Sequence, residues 1–454
     1  MRECVQNLTE QLREILMQTL DQLYDNFYEM FISEKLLVCT FRPIEFDSTT
    51  TSKLAVKITF ASKAGKEASC VVTPDSAPIL HRLFESVAGA KQVPILGHGL
   101  KDLFTLFQRL NGRRANIKNV YDLQWYESYL NLDSSENDYH LMLSNFKNWL
   151  KNDNLVKIYK SIYAPLICQI LPDIESFSFL NEETNKLVFP TYKLEGQENG
   201  RLSCICSKKR SYNPHSLGED KKNYKLHLYG NTIYQFDYKN MEVSVLAALS
   251  KDERLLEIIN GEKDVYENIF EIVSGCKNIA DARSLGKKMF LPVIYGQTPT
   301  GMSKSLDISI DQAQIYFNKL ANHFQKAFAY VESFQDKAKQ FGEVEDYFGR
   351  KRSVKIEEAY KARNFAIQSP AALICLESLV KLEKEKQHLY KIAFHVHDGY
   401  FLACKQSDML EVYHQCKKSL ESKSEFMPDV KLTVSAKVGK NLEKMHFINR
   451  KVET

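Results

Sequence analysis

Apolar residues at Val5, Leu8, Leu12, Ile15, Leu16, Leu20, Leu23, Tyr24, Phe27 and Phe31 recur at steps of three and four. That stripe predicts one amphipathic helix over 1–34. Packing on its own domain is the commoner fate of such a helix, and docking on a partner the rarer one. The period changes after residue 35. Stretches 36–39, 53–61, 69–72 and 93–96 read as strands, while 78–87 and 100–110 read as helices. Strands and helices mixed in this order predict an α/β domain over 35–145. Leu155, Ile158, Tyr159 and Ile162 return to helical spacing, so 146–190 is expected to be a short helical connection. Beyond Pro190, stretches 233–236 and 393–396 read as strands that end in acidic residues, and about 250–345 reads as mostly helical.

A chain of 454 residues has room for two or three domains of roughly 100–200 residues each. Its 44% hydrophobic and 26% charged residues exclude wholesale disorder. No apolar run reaches the roughly 20 residues of a membrane span. Glu3, Glu10 and Glu14 and the lack of an apolar run argue against a signal or transit peptide. Ten cysteines form no CxxC framework, and Cys204 and Cys206 are the one close pair. Reduced thiols in an intracellular, cytoplasmic setting are the expectation, the host cytoplasm if the chain is phage-encoded. The net charge of +4 is too small to establish a polyanionic partner by itself.

Three segments carry the candidate chemistry. YQFDYKNME at 234–242 ends a strand on Asp237 and places Glu242 in the next turn. RSLGKKMFLPVIYG at 283–296 puts Arg283, Lys287, Leu291 and Tyr295 four apart, on one helix face that drifts by only about 40° per step. Two cations one turn apart suit a triphosphate, and an aromatic beyond them suits a base or sugar. IAFHVHDGYFL at 392–402 reads as a hairpin turning at His397-Asp398-Gly399. Taken singly, each has a plain reading: a solvated turn acid, a solvated basic face, an ordinary turn.

Together, and in this order, the three resemble motifs A, B and C of the family A (polymerase I-type) DNA polymerases. NGRLS at 199–203, FGRKR at 348–352, RNFAIQS at 363–369 and VGKN at 438–441 resemble four further segments of that family. The resemblance spans about 190–454. It implies an α+β right-hand polymerase with an antiparallel-sheet palm, helical fingers at about 250–345 and a short helical thumb. In that scheme 146–190 is a reduced thumb and 191–454 the palm and fingers. It further implies that Asp237 and Asp398 hold two Mg²⁺ ions, with Mn²⁺ as the alternative, for phosphoryl transfer to a primer 3′-hydroxyl. Arg283 and Lys287 would hold the dNTP triphosphate, Leu291 and Tyr295 would border the nucleotide, and Glu242 would exclude a 2′-hydroxyl. Arg201, Asn364, Gln368 and His397 match positions that contact primer-template DNA, and Lys208, Lys209 and Arg210 add positive charge beside them.

The chain departs from the family pattern at three places. Gly399 stands where a second acid usually follows the motif C aspartate, Leu291 stands where Phe or Tyr is usual, and Pro292 follows inside the helix, where it should bend the chain. Residues 35–145 resemble the α/β, ribonuclease H-like 3′–5′ exonuclease domain of the same family, through GHGLK at 97–101 and VYDL at 120–123. Its acidic positions carry Thr40, Arg42 and Leu103, so a degenerate, non-proofreading domain is expected. A reduced thumb grips less duplex, which implies a processivity factor or other replication protein as partner. Single-subunit RNA polymerase or primase activity is the competing reading, and a non-catalytic primer-template-binding subunit is the third.

Overall fold

The computed structural model describes residues 37–44, 55–61, 67–72, 95–111, 120–134, 139–175, 179–181, 186–188, 190–194, 196–204, 224–226, 232–386, 388–440, 442 and 445–448. The helices expected over 1–34 and 78–87, and the basic trio Lys208, Lys209 and Arg210, lie outside the described residues. The chain forms two units, one of 1–128 with 132–177 and one of 129–131 with 178–454.

In the first unit, β1 (Leu37–Ile44), β2 (Ala55–Ala61) and β3 (Glu67–Val72) form an antiparallel meander. The short strands β4 (Ile95–Gly97) and β5 (Val120–Asp122) run parallel to β1, giving the order β3-β2-β1-β4-β5. The crossover from β4 to β5 is the helix Leu100–Asn111, and its start is capped from outside. The buried Asp122 carboxylate accepts the N–H groups of Gly99 at 3.0 Å and Leu100 at 2.7 Å, which meets part of the unpaired amide demand of a helix N-terminus.

The expected thumb segment divides. Its helical part, through helix Asp153–Ile158, the π-helical stretches Tyr159–Tyr163 and Leu166–Ile170, and helix Leu171–Glu175, packs within the first unit. Two observations account for this. Trp149 and Tyr159 interleave with Tyr121 and Trp125 at ring separations of 4.6–5.9 Å. Buried Glu175 also accepts bonds from Lys101 at 2.8 Å and Thr105 at 2.9 Å. Once buried, those charges cannot be separated without leaving one unpaired.

The second unit begins with short pairings among β6 (Phe179–Asn181), β7 (Lys186–Val188) and β10 (Tyr224–Leu226), and between β8 (Tyr192–Lys193) and β9 (Ser203–Cys204). Its main sheet is antiparallel throughout. It comprises β11 (Thr232–Tyr238), β14 (Tyr390–Val396), β15 (Gly399–Cys404), β16 (Val434–Gly439) and β17 (Met445–Phe447), in the order β14-β15-β11-β16-β17. One face of this sheet meets a 25-residue helix, Lys361–Glu385. There Tyr238 hydrogen-bonds Ser378 at 2.7 Å and Tyr400 donates to the Cys375 carbonyl at 2.8 Å. That helix is long and apolar enough to cross a membrane by length and composition, beyond what the apolar runs of the sequence predict. In the fold 89% of its most apolar window is buried, which makes it the central core helix of this unit. The stretch 253–341 is a series of helices from Glu253–Asn260 to Gln325–Phe341. A small hairpin of β12 (Glu343–Glu345) and β13 (Lys351–Ser353) follows.

Candidate active site

Side chains alternate along β11, so Tyr238 turns to the core helix and Asp237 to the opposite face. Asp237 pairs with Gly399 on β15 and with Ser435 on β16. Asp398 sits in the turn between β14 and β15, where β15 already begins at Gly399, leaving a two-residue turn, His397-Asp398. The Tyr238 N–H donates to the Asp398 carbonyl at 3.3 Å. The two carboxylates therefore stand on neighbouring strands, one backbone hydrogen bond apart. Both supporting turns hold a non-glycine residue in the left-handed region, Asn240 at φ 54° and His397 at φ 56°. Asn tolerates this region, whereas His carries strain of the kind that persists at functional sites.

Burial pushes the Asp237 carboxyl up to about 6, and the neighbouring Asp398 adds to this, while Lys437 and Lys287 oppose it. Asp398 is raised too, again by burial first, with its backbone amide, Arg201 and His397 opposing and Glu242 adding to the rise. Two buried acids that resist ionising together are a site that a cation would stabilise. The donors are hard oxygens, and no cluster of three or more His, Cys, Asp or Glu side chains with metal-binding geometry occurs among the described residues. Mg²⁺ suits such a pair, because it keeps several waters and takes substrate phosphates as its other ligands. Gly399 contributes room: a Cβ there would lie 3.2 Å from the Val396 carbonyl and 3.3 Å from Asp237 Oδ1. A second acid at this position would crowd the carboxylate already present.

The facing wall is helix Ala282–Ile294. Arg283, Lys287 and Leu291 line the same cleft, of about 790 Å³, as Asp237, Asp398 and Glu242. The expected bend at Pro292 does not take Leu291 away, since the helix runs on through Pro292 to Ile294. Arg283 is held ready: its Nε donates to Asp264 Oδ2 at 3.1 Å and its guanidinium lies 5.7 Å from the Tyr266 ring centre. Asp264 also caps helix Val265–Ser274 by accepting the Tyr266 and Glu267 N–H groups.

Gly286 lets these two helices touch. A Cβ added there would fall 2.0 Å from the Tyr266 carbonyl oxygen, so the backbones themselves must separate. Gly286→Ala is accordingly expected to destabilise the fold by about 1–3 kcal/mol, the usual range for overpacking. A thermal melt would show it as a drop of several degrees, at roughly 2–4 °C per kcal/mol. An unchanged melt would mean the helices do not meet at this residue.

Glu242, in the first turn of helix Met241–Ser250, joins three segments. It accepts from Arg201 Nη2 at 2.7 Å and from the Tyr295 hydroxyl at 2.6 Å. Burial and Glu242 together push the Tyr295 hydroxyl far above its ordinary range. Arg201 is set by its own loop. Gly200 has φ +74°, and a Cβ there would meet the Arg350 guanidinium at 2.7 Å. Glu198 pairs with Arg352, and Asn199 Nδ2 donates to Gln368 Oε1 at 3.1 Å. Buried Asp346 then accepts the N–H groups of Phe348 and Arg350 at 2.8 Å and the Ser369 hydroxyl at 2.6 Å. The segments at 199–203, 348–352 and 363–369 are thus one interlocked unit. His397 and Arg201 line the cleft, while Asn364 and Gln368 stand one turn apart on the core helix. The buried Asn364 Oδ1 has no hydrogen-bond partner among the described residues.

The cleft residues that escape the sequence reading include Asp264, Tyr266, Lys437 and Phe447. The stretch DVYENIF at 264–270 carries an N-cap signal that would have drawn attention to Asp264. No local signal marks the other three.

A family model described as DNA polymerase family A matches residues 155–444. The DNA polymerase I of Bacillus subtilis (strain 168) is 29% identical over 188 residues, covering 37% of this chain and 21% of that protein. The thermostable DNA polymerase I of Thermus caldophilus is 27% identical over 206 residues, 42% of this chain and 25% of that protein. The DNA polymerase of Bacillus phage SP01 is 24% identical over 296 residues, 57% of this chain and 32% of that protein. The matched region thus spans about a fifth to a third of the length of these relatives. Among solved structures, the POL domain of Pol1 from M. smegmatis, in complex with DNA primer-template and dNTP, superposes with a TM-score of 0.70. That likeness covers 92% of this chain and 98% of the other at 14% identity, which is a likeness of fold.

Proposed function

The chain belongs to DNA polymerase family A, and on that premise we propose that it performs template-directed 5′–3′ DNA synthesis. A primer 3′-hydroxyl attacks the α-phosphorus of a dNTP, the P–O bond to the β-phosphate breaks, and pyrophosphate leaves. The observation that carries this reading is the pair Asp237 and Asp398 facing Arg283 and Lys287 across one cleft. Two Mg²⁺ ions, or Mn²⁺ in their place, held by Asp237 and Asp398 would lower the pKa of the primer hydroxyl and offset charge on the departing pyrophosphate. Arg283 and Lys287 neutralise the triphosphate, with Arg283 exchanging Asp264 for phosphate oxygens as the nucleotide enters. Leu291 and Tyr295 border the sugar and base. Glu242, fixed from two sides, closes the space beside the 2′ carbon. Arg201, Asn364, Gln368 and His397, with the basic trio Lys208, Lys209 and Arg210, hold primer-template without reading its sequence.

The first unit is proposed to be a degenerate exonuclease-like scaffold. Asp122 is spent on the amides of Gly99, Leu100 and Gln124, and Asp102 pairs with Lys101 at 2.7 Å. A processivity partner follows from the limited helical surface left for a thumb, and the free thiols of Cys168, Cys375, Cys404 and Cys416 fit an intracellular, cytoplasmic setting.

Primer extension with dNTPs and separately with NTPs tests the reading. Full-length products with dNTPs alone are expected. Products from NTPs alone would establish the RNA polymerase alternative, and binding without extension would establish the non-catalytic one. A mismatched primer with Mg²⁺ and no dNTPs should not shorten.

Leu291 yields a sharper test. Leucine offers no polar atom to stand in for a missing 3′-hydroxyl, so a dideoxynucleotide leaves partner groups unpaired at about 1–3 kcal/mol. That is roughly 5- to 150-fold discrimination, since about 1.4 kcal/mol is tenfold. Leu291→Tyr is expected to relax it in single-nucleotide incorporation. Equal discrimination by both proteins would remove Leu291 from the sugar.

A further inference from the structure

The face of the main sheet that carries Asp237 also carries two side chains with no role in the steps above. Across β11 and β16, Asp237 pairs with Ser435 and Gln235 with Lys437. Residues two apart share a face, so Lys437 stands beside Asp237, one pair along. Lys437 pairs in turn with Phe447 on β17, and its ammonium sits 4.5 Å from that ring's centre. Both line the catalytic cleft. The strand order places them on the flank of β11 opposite to β15 and Asp398.

Phe447 is 62% exposed, so its ring is not there to fill a core. Stacking beneath an ammonium restricts where the lysine head can go. An ammonium beside an open aromatic face fits one nucleotide of a strand, with the phosphate on the cation and the sugar or base on the ring. Pyrophosphate would use only the cation. The triphosphate already has Arg283 and Lys287, which come from helix Ala282–Ile294 and not from the sheet. The partner left for the sheet flank is the primer strand.

We propose that Lys437 and Phe447 form a strand-anchoring subsite, in which Lys437 neutralises a backbone phosphate near the primer 3′ end and Phe447 stacks on the adjoining sugar or base. The proposal rests on the polymerase reading of the cleft.

The test measures primer-template affinity by fluorescence anisotropy across a salt series, without dNTP, together with steady-state extension. Lys437→Ala should bind about 5- to 10-fold more weakly, and its log affinity against log salt should flatten by about one, the loss of one phosphate contact. Its dNTP KM should stay within about twofold. Lys437→Arg should restore the slope. Phe447→Leu should weaken binding several-fold with the slope unchanged. Lys418→Ala, on the exposed face of helix Met409–Leu420, should change nothing. Wild-type affinity and slope in Lys437→Ala would overturn the subsite, whether the dNTP KM rose instead or only the pH profile moved. So would equal weakening by Lys418→Ala. If wild type extends primers and Lys437→Ala binds like it, the subsite falls and the polymerase reading stands. If wild type binds primer-template without extending it, the polymerase reading falls, while the binding series still reports on Lys437.

Discussion

Asp237→Asn and Asp398→Asn are each expected to lower primer extension by at least about 10³-fold, upwards of ~4 kcal/mol of transition-state stabilisation, with primer-template affinity nearly unchanged. In the proposed mechanism the carboxylates act on the reacting phosphate, whereas affinity is spread over many backbone contacts. Stability should move the other way. Asp237 is raised to about 6 by burial and by Asp398, so its folded-state value exceeds the unfolded one near 3.9. A carboxyl raised in this direction favours the fold when protonated and loses that contribution as pH rises through about 6. At neutral pH without metal the ionised group is therefore a liability, and Asn in its place should raise the melting temperature. A variant that melts higher and yet cannot extend primers separates catalytic loss from misfolding. Near-wild-type extension by either variant would put the catalytic site elsewhere.

Glu242→Ala carries the second large effect. The side chain is held by Arg201 at 2.7 Å and Tyr295 at 2.6 Å, which fixes it in one position. Removing it opens the space beside the 2′ carbon, and ribonucleotide use should rise relative to deoxynucleotide by roughly 10- to 100-fold. The same change leaves Arg201 and the buried Tyr295 hydroxyl without their acceptor, at about 1–3 kcal/mol, so dNTP efficiency should fall as well. Glu242→Gln divides the two causes. It keeps the bulk, and so the sugar selection, but loses the ion pair with Arg201. Competitive incorporation of dNTP against NTP measures both. A wild-type enzyme that uses both sugars equally would remove the gate.

The local features of the site were legible because the chemistry-bearing residues sit at positions with strong short-range signals. Asp237 comes one residue before the end of a β-branched and aromatic strand, His397-Asp398 makes a tight turn, and Arg283, Lys287, Leu291 and Tyr295 keep a four-residue spacing that any helix turns to one side. Strands β1 to β4 were likewise readable from short apolar runs. The placement of 146–177 was not. Its helical spacing says that it is helical and nothing about which unit receives it. That choice rests on Trp149 and Tyr159 finding Tyr121 and Trp125, and on Glu175 finding Lys101. The full extent of helix Lys361–Glu385 was also hidden, because a helix buried on nearly every side loses the amphipathic period that usually reveals one.

What the sequence by itself determined is the family, and it also supplied the acids, cations and gate proposed for the site, since each is written as a residue type in a local pattern. What the tertiary structure alone decided is their company. Lys437 reaches Asp237 through the register of β16 against β11, and Phe447 reaches Lys437 through the register of β17 against β16. A slip of one residue in either pairing would send those side chains to the opposite face. Asp264 and Tyr266 reach Arg283 because Gly286 lets two helix backbones touch. Registers and close approaches join residues far apart in the chain, and their energies come from the assembled packing. No window of sequence contains them.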